Sequence, residues 1–156
     1  MDNLKIALAQ IDSQSGNVAS NTKEIIKAID DARLEHANIV VFPELCVCGY
    51  TARDLWFRES FLNQCAEAVL EIAAHCAGLV AVLGSVIEEK GERYNVAIAV
   101  FDGQIIATHR KMTLPSSELF EERRYFSNGR EHTTFRFGKY KIGLQVCEDL
   151  WGNEEN

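Results

Sequence analysis

Apolar residues recur along this chain at two spacings, and the switches between them divide it into elements. Residues 4–11 alternate apolar and polar positions and predict a first strand. A polar loop with a glycine covers residues 13–17, after which Ser20 is placed to cap a helix running to about His36. Ile25, Ile26, Ile29 and Ala32 mark its apolar face. Residues 38–42 form a short continuous apolar run, the pattern of a strand buried on both faces, and Pro43 ends it. Residues 43–53 read as a loop turning at Gly49. Asp54 is the expected cap of a second helical region reaching about Cys76, with Gly78 as its stop and Phe61, Cys65, Ala68, Val69 and Ile72 as its stripe. Residues 79–87, 94–101 and 104–109 predict three strands, separated by turns at residues 89–92 and at Asp102-Gly103, the latter a strong hairpin signal. Residues 112–130 form a long charged loop, and a stretch of that length usually carries function. Residues 133–137 and 140–146 close the pattern as a hairpin around Gly138-Lys139. Strand–helix–strand–helix followed by hairpins predicts an α/β fold with a mixed sheet.

The last strand ends in a reactive group. Ile142, Leu144 and Val146 alternate, and Cys147, Glu148 and Asp149 follow at once. This reads as strand, sharp turn and helix start, with a thiol at the carboxyl end of a strand, where α/β folds collect ligands and catalytic groups. A helix N-terminus lowers a neighbouring thiol's pKa, whereas the charges of Glu148 and Asp149 raise it. Such a thiol is either a nucleophile that needs a partner base or a small buried core cysteine.

Composition narrows the setting. The 156 residues are 47% hydrophobic and 25% charged, ordinary for a globular domain with a sizeable core. A net charge of −7 argues against a nucleic-acid surface. Five cysteines without scaffold spacing, no signal peptide and no apolar run of membrane-spanning length together predict a reducing, cytoplasmic compartment. Cys46 and Cys48 are separated by one residue, closer than zinc ligands usually lie, and no second Cys/His pair follows, so no metal site is expected. The ten glycines include no G-x-G, so no dinucleotide or phosphate loop is expected.

A nucleophilic Cys147 requires a base within hydrogen-bond reach. His36 and His75 fall near helix C-termini, and His109 and His132 near strand ends without an evident partner. Glu44 follows a buried strand and Pro43, so it too emerges at a sheet's carboxyl end, where partial desolvation suits a carboxylate to base work. Lys111 is the candidate cation, at the end of residues 104–109 where the long loop begins.

F-P-E-L-C-V-C-G-Y (42–50), H-R-K-M-T-L-P (109–115) and V-C-E-D-L-W (146–151) resemble the three catalytic blocks of the nitrilase superfamily of carbon–nitrogen hydrolases, which carry Glu, Lys and Cys in that order. G-Y-T-A-R-D-L (49–55) and L-F-E-E-R-R-Y-F (119–126) are similar to runs in the glutamine-dependent NAD synthetase branch. The resemblance spans residues 4–151. It implies a nitrilase-like α-β-β-α sandwich, incomplete at its C-terminal end. On this reading residues 1–156 are the front part of a glutaminase domain whose synthetase domain is absent. It implies Glu44 as general base, Lys111 as the cation stabilising the oxyanion, Cys147 as nucleophile and Glu122 as a second active-site acid. Ser117 and Glu148 become substrate contacts. Ser116 and Ser117 depart from the Asn and Tyr that many of those enzymes carry after L-P, and Glu121 replaces Asp.

The implied reaction is hydrolysis of the side-chain amide of L-glutamine through a Cys thioester, supplying ammonia for ATP-dependent NAD synthesis. The segment itself needs no cofactor, because ATP and Mg belong to the synthetase domain. The implied partners are that C-terminal domain and further copies of the protein as a homo-oligomer. Alternatives are a stand-alone nitrilase-type amidase or carbamoylase acting on another small amide, and a non-catalytic truncated copy.

Overall fold

The structure, a computed structural model, describes residues 3–116 and 120–151. Its centre is a five-stranded mixed sheet: β1 (Ile6–Leu8), β2 (Ile39–Val41), β3 (Val80–Glu89), β4 (Glu92–Phe101) and β5 (Gln104–Arg110), adjacent in that order. β1, β2 and β3 run parallel, and β4 and β5 are antiparallel to their neighbours. The parallel crossovers contain α1 (Val18–Leu34) and α2 (Glu59–Ala74), as parallel pairing demands. The remaining strands, β6 (Thr133–Phe137) and β7 (Tyr140–Leu144), form a separate two-stranded sheet.

The pleat sends alternate residues to two apolar clusters. Ala81 and Leu83 of β3 pack with Ile25, Ile29, Cys65, Val69 and Ile72 of the helices. Val80 and Val82 point the other way and meet Phe135 and Leu144 of the hairpin. β2 is divided likewise, with Val40 in the first cluster and Ile39 in the second, which is why its run is continuously apolar. The layers are therefore helices, five-stranded sheet and hairpin, the first three of an α-β-β-α sandwich.

Several expected boundaries move. Only Ile6–Leu8 of residues 4–11 pair as strand, and on this edge Ile6 and Leu8 are 50% and 82% exposed. α1 begins before Ser20, because Asn17 is the cap and accepts the Ser20 amide at 3.2 Å. Asp54 caps no helix. Residues Arg53–Phe57 make a 3₁₀ turn, Arg58 is extended, and α2 starts only at Glu59. That break lets Trp56 bury against Tyr125 and Phe126, with ring centroids 5.0 and 4.7 Å away, while Asp54 faces Arg124 at 3.6 Å. The two hairpin turns at Lys90-Gly91 and Asp102-Gly103 both carry positive φ at both positions, the conformation that two-residue hairpin turns favour.

Candidate active site

β2 delivers Glu44 to one end of the sheet through a turn that crosses β3 very closely. Val47 donates to the Gly84 carbonyl at 3.1 Å, and a Cβ at Gly84 would lie 2.2 Å from the Leu45 nitrogen. Only glycine lets that turn seat against the strand. β4 and β5 bring in two more polar groups at the same end. Asn95 stands opposite Lys111, whose amide donates to the Asn95 carbonyl at 2.8 Å.

Five side chains converge there. Lys111 is fully buried, and its Nζ donates to Glu44 Oε1 at 2.7 Å and to Glu122 Oε1 at 2.9 Å. Asn95 Nδ2 donates to Glu44 Oε1 at 2.6 Å and to Glu122 Oε2 at 3.4 Å. Tyr50 donates its hydroxyl to Glu122 Oε1 at 2.5 Å. Glu122 opens a short 3₁₀ turn and is 2% exposed, so within the charged 112–130 loop it is a buried acid rather than part of a solvated patch. The cluster holds one cation and two carboxylates. Burial alone would lower the Lys111 pKa, but the bonds and charges of Glu44 and Glu122 outweigh it and hold the ammonium above its ordinary value. Burial and the adjacent Glu122 push the Tyr50 hydroxyl far up, so it remains a donor.

Cys147 begins a four-residue 3₁₀ turn, Cys147–Leu150, rather than a longer helix. Its φ is +45°, a left-handed conformation that costs a non-glycine residue of order 1–3 kcal/mol and here throws the thiol out of the strand line. Among the five cysteines it is the exposed one, and the others are buried. Cys147 and Glu44 line one cavity of about 210 Å³ together with Gln145 and apolar groups such as Phe42, Val82, Val96 and Val146. Burial and the charge of Glu44 raise the thiol pKa, with Lys111 opposing them and Glu148 and Glu122 adding to the rise. The raised thiol shares its cavity with a carboxylate, and a base paired with a thiol is what an activated nucleophile requires.

The acids after Cys147 diverge. Glu148 remains near the thiol, and its carboxylate accepts from Trp151 Nε1 at 3.2 Å. Asp149 turns inward, away from the role of repelling the thiolate. It accepts from His109 Nε2 at 2.9 Å, from the Met112 and Thr113 amides at 2.8 Å each, and from the Val146 amide at 3.0 Å. Burial would raise its pKa, but the His109 contact and those backbone donors hold it below the ordinary carboxylate value. His109 is fully buried. The sequence pattern shows it no partner, since Asp149 lies 40 residues away. Ser117 lies outside the described residues.

Sequence patterning thus leaves out Tyr50, Asn95, His109 and the inward role of Asp149. A signal existed for Asn95, a polar residue between Tyr94 and Val96 at the start of an apolar strand run.

A family model, carbon–nitrogen hydrolase, matches residues 5–155. The chain is 44% identical over 155 residues to the glutamine-dependent NAD(+) synthetase of Xylella fastidiosa, covering 97% of this chain and 28% of that protein. It is 37% identical over 156 residues to the enzyme of that name from Thermotoga maritima, covering 99% of this chain and 27% of the relative. The solved glutamine-dependent NAD+ synthetase of Acinetobacter baumannii, in complex with ADP, superposes with a TM-score of 0.90 at 37% identity, over 96% of this chain and 28% of that one. A Nesterenkonia amidase shares the fold, with a TM-score of 0.82 at 22% identity over 94% of this chain and 56% of that one. The chain therefore spans a little over a quarter of the length of these synthetases. No helix among the described residues is long and apolar enough to cross a membrane.

Proposed function

Because the chain belongs to the carbon–nitrogen hydrolase family, we propose that residues 1–156 form the front part of a glutaminase domain that hydrolyses the side-chain amide of L-glutamine through a thioester on Cys147. The observation that carries this reading is the buried Lys111 ammonium held between Glu44 and Glu122, with Glu44 and Cys147 lining one cavity.

The chemistry follows from the groups present. An amide is a poor electrophile, and a covalent intermediate divides one hard step into two. As Sγ of Cys147 bonds to the amide carbon, Glu44 takes the thiol proton and the carbonyl π electrons move to oxygen. An ammonium has three donors; Glu44 and Glu122 engage two of Lys111's, leaving one for the developing oxyanion. A donor of that kind typically contributes roughly 2.7–4 kcal/mol to the transition state. The oxyanion then collapses, the C–N bond breaks, and Glu44 returns the proton to the departing ammonia. Glu44 next draws a proton from water, which attacks the thioester, and glutamate leaves as Cys147 recovers its proton. Glu122 and Asn95 hold the lysine and the base in place, and Glu148, near the thiol, contacts the substrate. The ammonia passes to a C-terminal synthetase domain, which uses ATP and Mg to make NAD from the deamido precursor, in a cytoplasmic homo-oligomer.

The test separates two activities of the intact enzyme. Lys111→Ala and Cys147→Ala should cut glutamine hydrolysis by at least ~10², while NAD synthesis from free ammonia is retained. Undiminished glutamine hydrolysis in Cys147→Ala would overturn the reading, and so would equal loss of both activities in folded variants.

A further inference from the structure

Both reactive groups are bracketed in sequence by contacts to a single buried carboxylate. Lys111 lies between His109 and Met112, and Cys147 lies between Val146 and Asp149. Asp149 Oδ2 accepts from His109 Nε2 at 2.9 Å and from the Val146 amide at 3.0 Å. Its Oδ1 accepts from the amides of Met112 and Thr113, each at 2.8 Å. Four donors from three segments therefore meet on a side chain only 3% exposed: β5 before the lysine, the loop after it, and the strand end before the nucleophile. The sheet does not supply this connection, because β5 and β7 belong to different sheets. His109 is 0% exposed and its Nδ1 has no hydrogen-bond partner among the described residues, so within them the ring's polar contact is the one to Asp149.

We infer that His109 and Asp149 are positioning residues that fix the separation between the Lys111 ammonium and the Cys147 thiol, and with it the rate of thioester formation. The inference rests on the glutaminase reading above. Among the described residues, this carboxylate is hydrogen-bonded both to the backbone just before Cys147 and to the backbone just after Lys111. Its removal leaves the two blocks joined by the apolar packing of Val146 and the hairpin on β3 and β4, but without this polar link between the segments that flank Lys111 and Cys147. Displacements of ~1 Å between reacting groups can cost ~10² in rate, so this linkage acts on turnover rather than on substrate affinity. A neutral donor at position 109 is enough for the contact, and a proton exchanged with solvent is not required.

The test uses the intact protein with Asp149→Asn, His109→Leu and His109→Gln, and a diazo-ketone analogue of glutamine to count competent Cys147 thiols. Asn cannot accept from all four donors, Leu donates nothing, and Gln keeps an N–H for Asp149. Expected are kcat values per labelled site lower by ~10² in Asp149→Asn and His109→Leu, with KM for glutamine little changed. His109→Gln should recover most of the loss. A merely structural contact would reduce the number of labelled sites and leave the rate per labelled site at the wild-type value, which would overturn the inference. Should Asp149→Asn fail to fold, the His109 pair decides. Activity in Cys147→Ala would instead sink the glutaminase reading itself. An inactive Cys147→Ala beside a fully active His109→Leu would sink only the positioning role.

Discussion

Lys111 donates to Glu122 at 2.9 Å with both side chains almost wholly removed from water. A buried ion pair is weak evidence for stability as a whole, but deleting one member leaves the other charge uncompensated, typically at about 3–5 kcal/mol. Lys111→Met should therefore destabilise the protein by an amount in that range. It would leave the Glu44 and Glu122 carboxylates without the cation that now lies between them. Glu122→Gln keeps the shape and leaves Lys111 paired with Glu44, so it should cost less. Urea unfolding of the two variants checks the order. A larger loss in Glu122→Gln would mean that Tyr50 and Asn95, rather than the ammonium, are its principal partners.

Glu44→Gln should separate thiol acidity from turnover. Burial and the Glu44 charge raise the Cys147 pKa, and Lys111 lowers it. Neutralising Glu44 removes one of the raising causes, so the thiol should ionise at lower pH and react faster with iodoacetamide at neutral pH. Glutamine hydrolysis should nevertheless fall by ~10²–10⁴, because no general base remains to move the proton. The pH profile of alkylation, set beside hydrolysis rates, provides the measurement. An alkylation midpoint that moved up instead would show that Glu44 does not act on the thiol through its charge.

Gly84→Ala tests how the base is placed. A methyl there would approach the Leu45 nitrogen to 2.2 Å and the Pro43 carbonyl to 2.5 Å, both backbone atoms of the turn that carries Glu44. Strain of this kind typically costs roughly 1–3 kcal/mol, and the displaced carboxylate should lose ~10² in hydrolysis rate. Gly143→Ala is the control, since nothing lies within 4 Å of the added carbon. Thermal melts and hydrolysis rates of the two variants should diverge sharply.

The parts of this fold that were legible in the sequence are those governed by a single periodicity. Ile25, Ile29 and Ala32 of the predicted α1 stripe are buried while Ile26 is only partly so, and β2 buries Ile39 and Val40 fully and Val41 partly. Glu44, Lys111 and Cys147 were legible because each closes a strand, and the structure gathers the three at one end of the sheet. Glu122 was invisible to patterning, because an E-E-R-R run has the composition of a solvated surface, and only the family resemblance singled it out. Its burial follows from contacts with Tyr50, 72 positions away, and with Asn95, 27 away. His109 and Asp149 were unreadable for the same reason: a pair 40 residues apart acquires its partner only when two sheets stack. The late start of α2 reflects tertiary burial of Trp56 overriding a local capping preference at Asp54.

The Asp149 carboxylate should leave a signature in acid. Burial would raise its pKa, but His109 and the amides of Thr113, Val146 and Met112 together hold it below its ordinary value. A carboxylate whose folded pKa is depressed contributes stability that is fully present above its unfolded pKa, about 3.9. That contribution is lost as pH falls through the lower, folded value. Asp149→Asn carries no such titration. The stability gap between wild type and Asp149→Asn should therefore be flat from neutral pH down to about 5 and narrow below about 4, where the unfolded chain binds the proton more readily. Urea midpoints at a series of pH values measure it, and because both proteins share every other carboxylate, the remaining acid transitions cancel in the difference. A gap that stays constant through this window would mean that the group accepting from His109 and the three amides is not ionised in the folded protein. In that case its four donors, rather than its charge, would account for its hold on the lysine and cysteine segments.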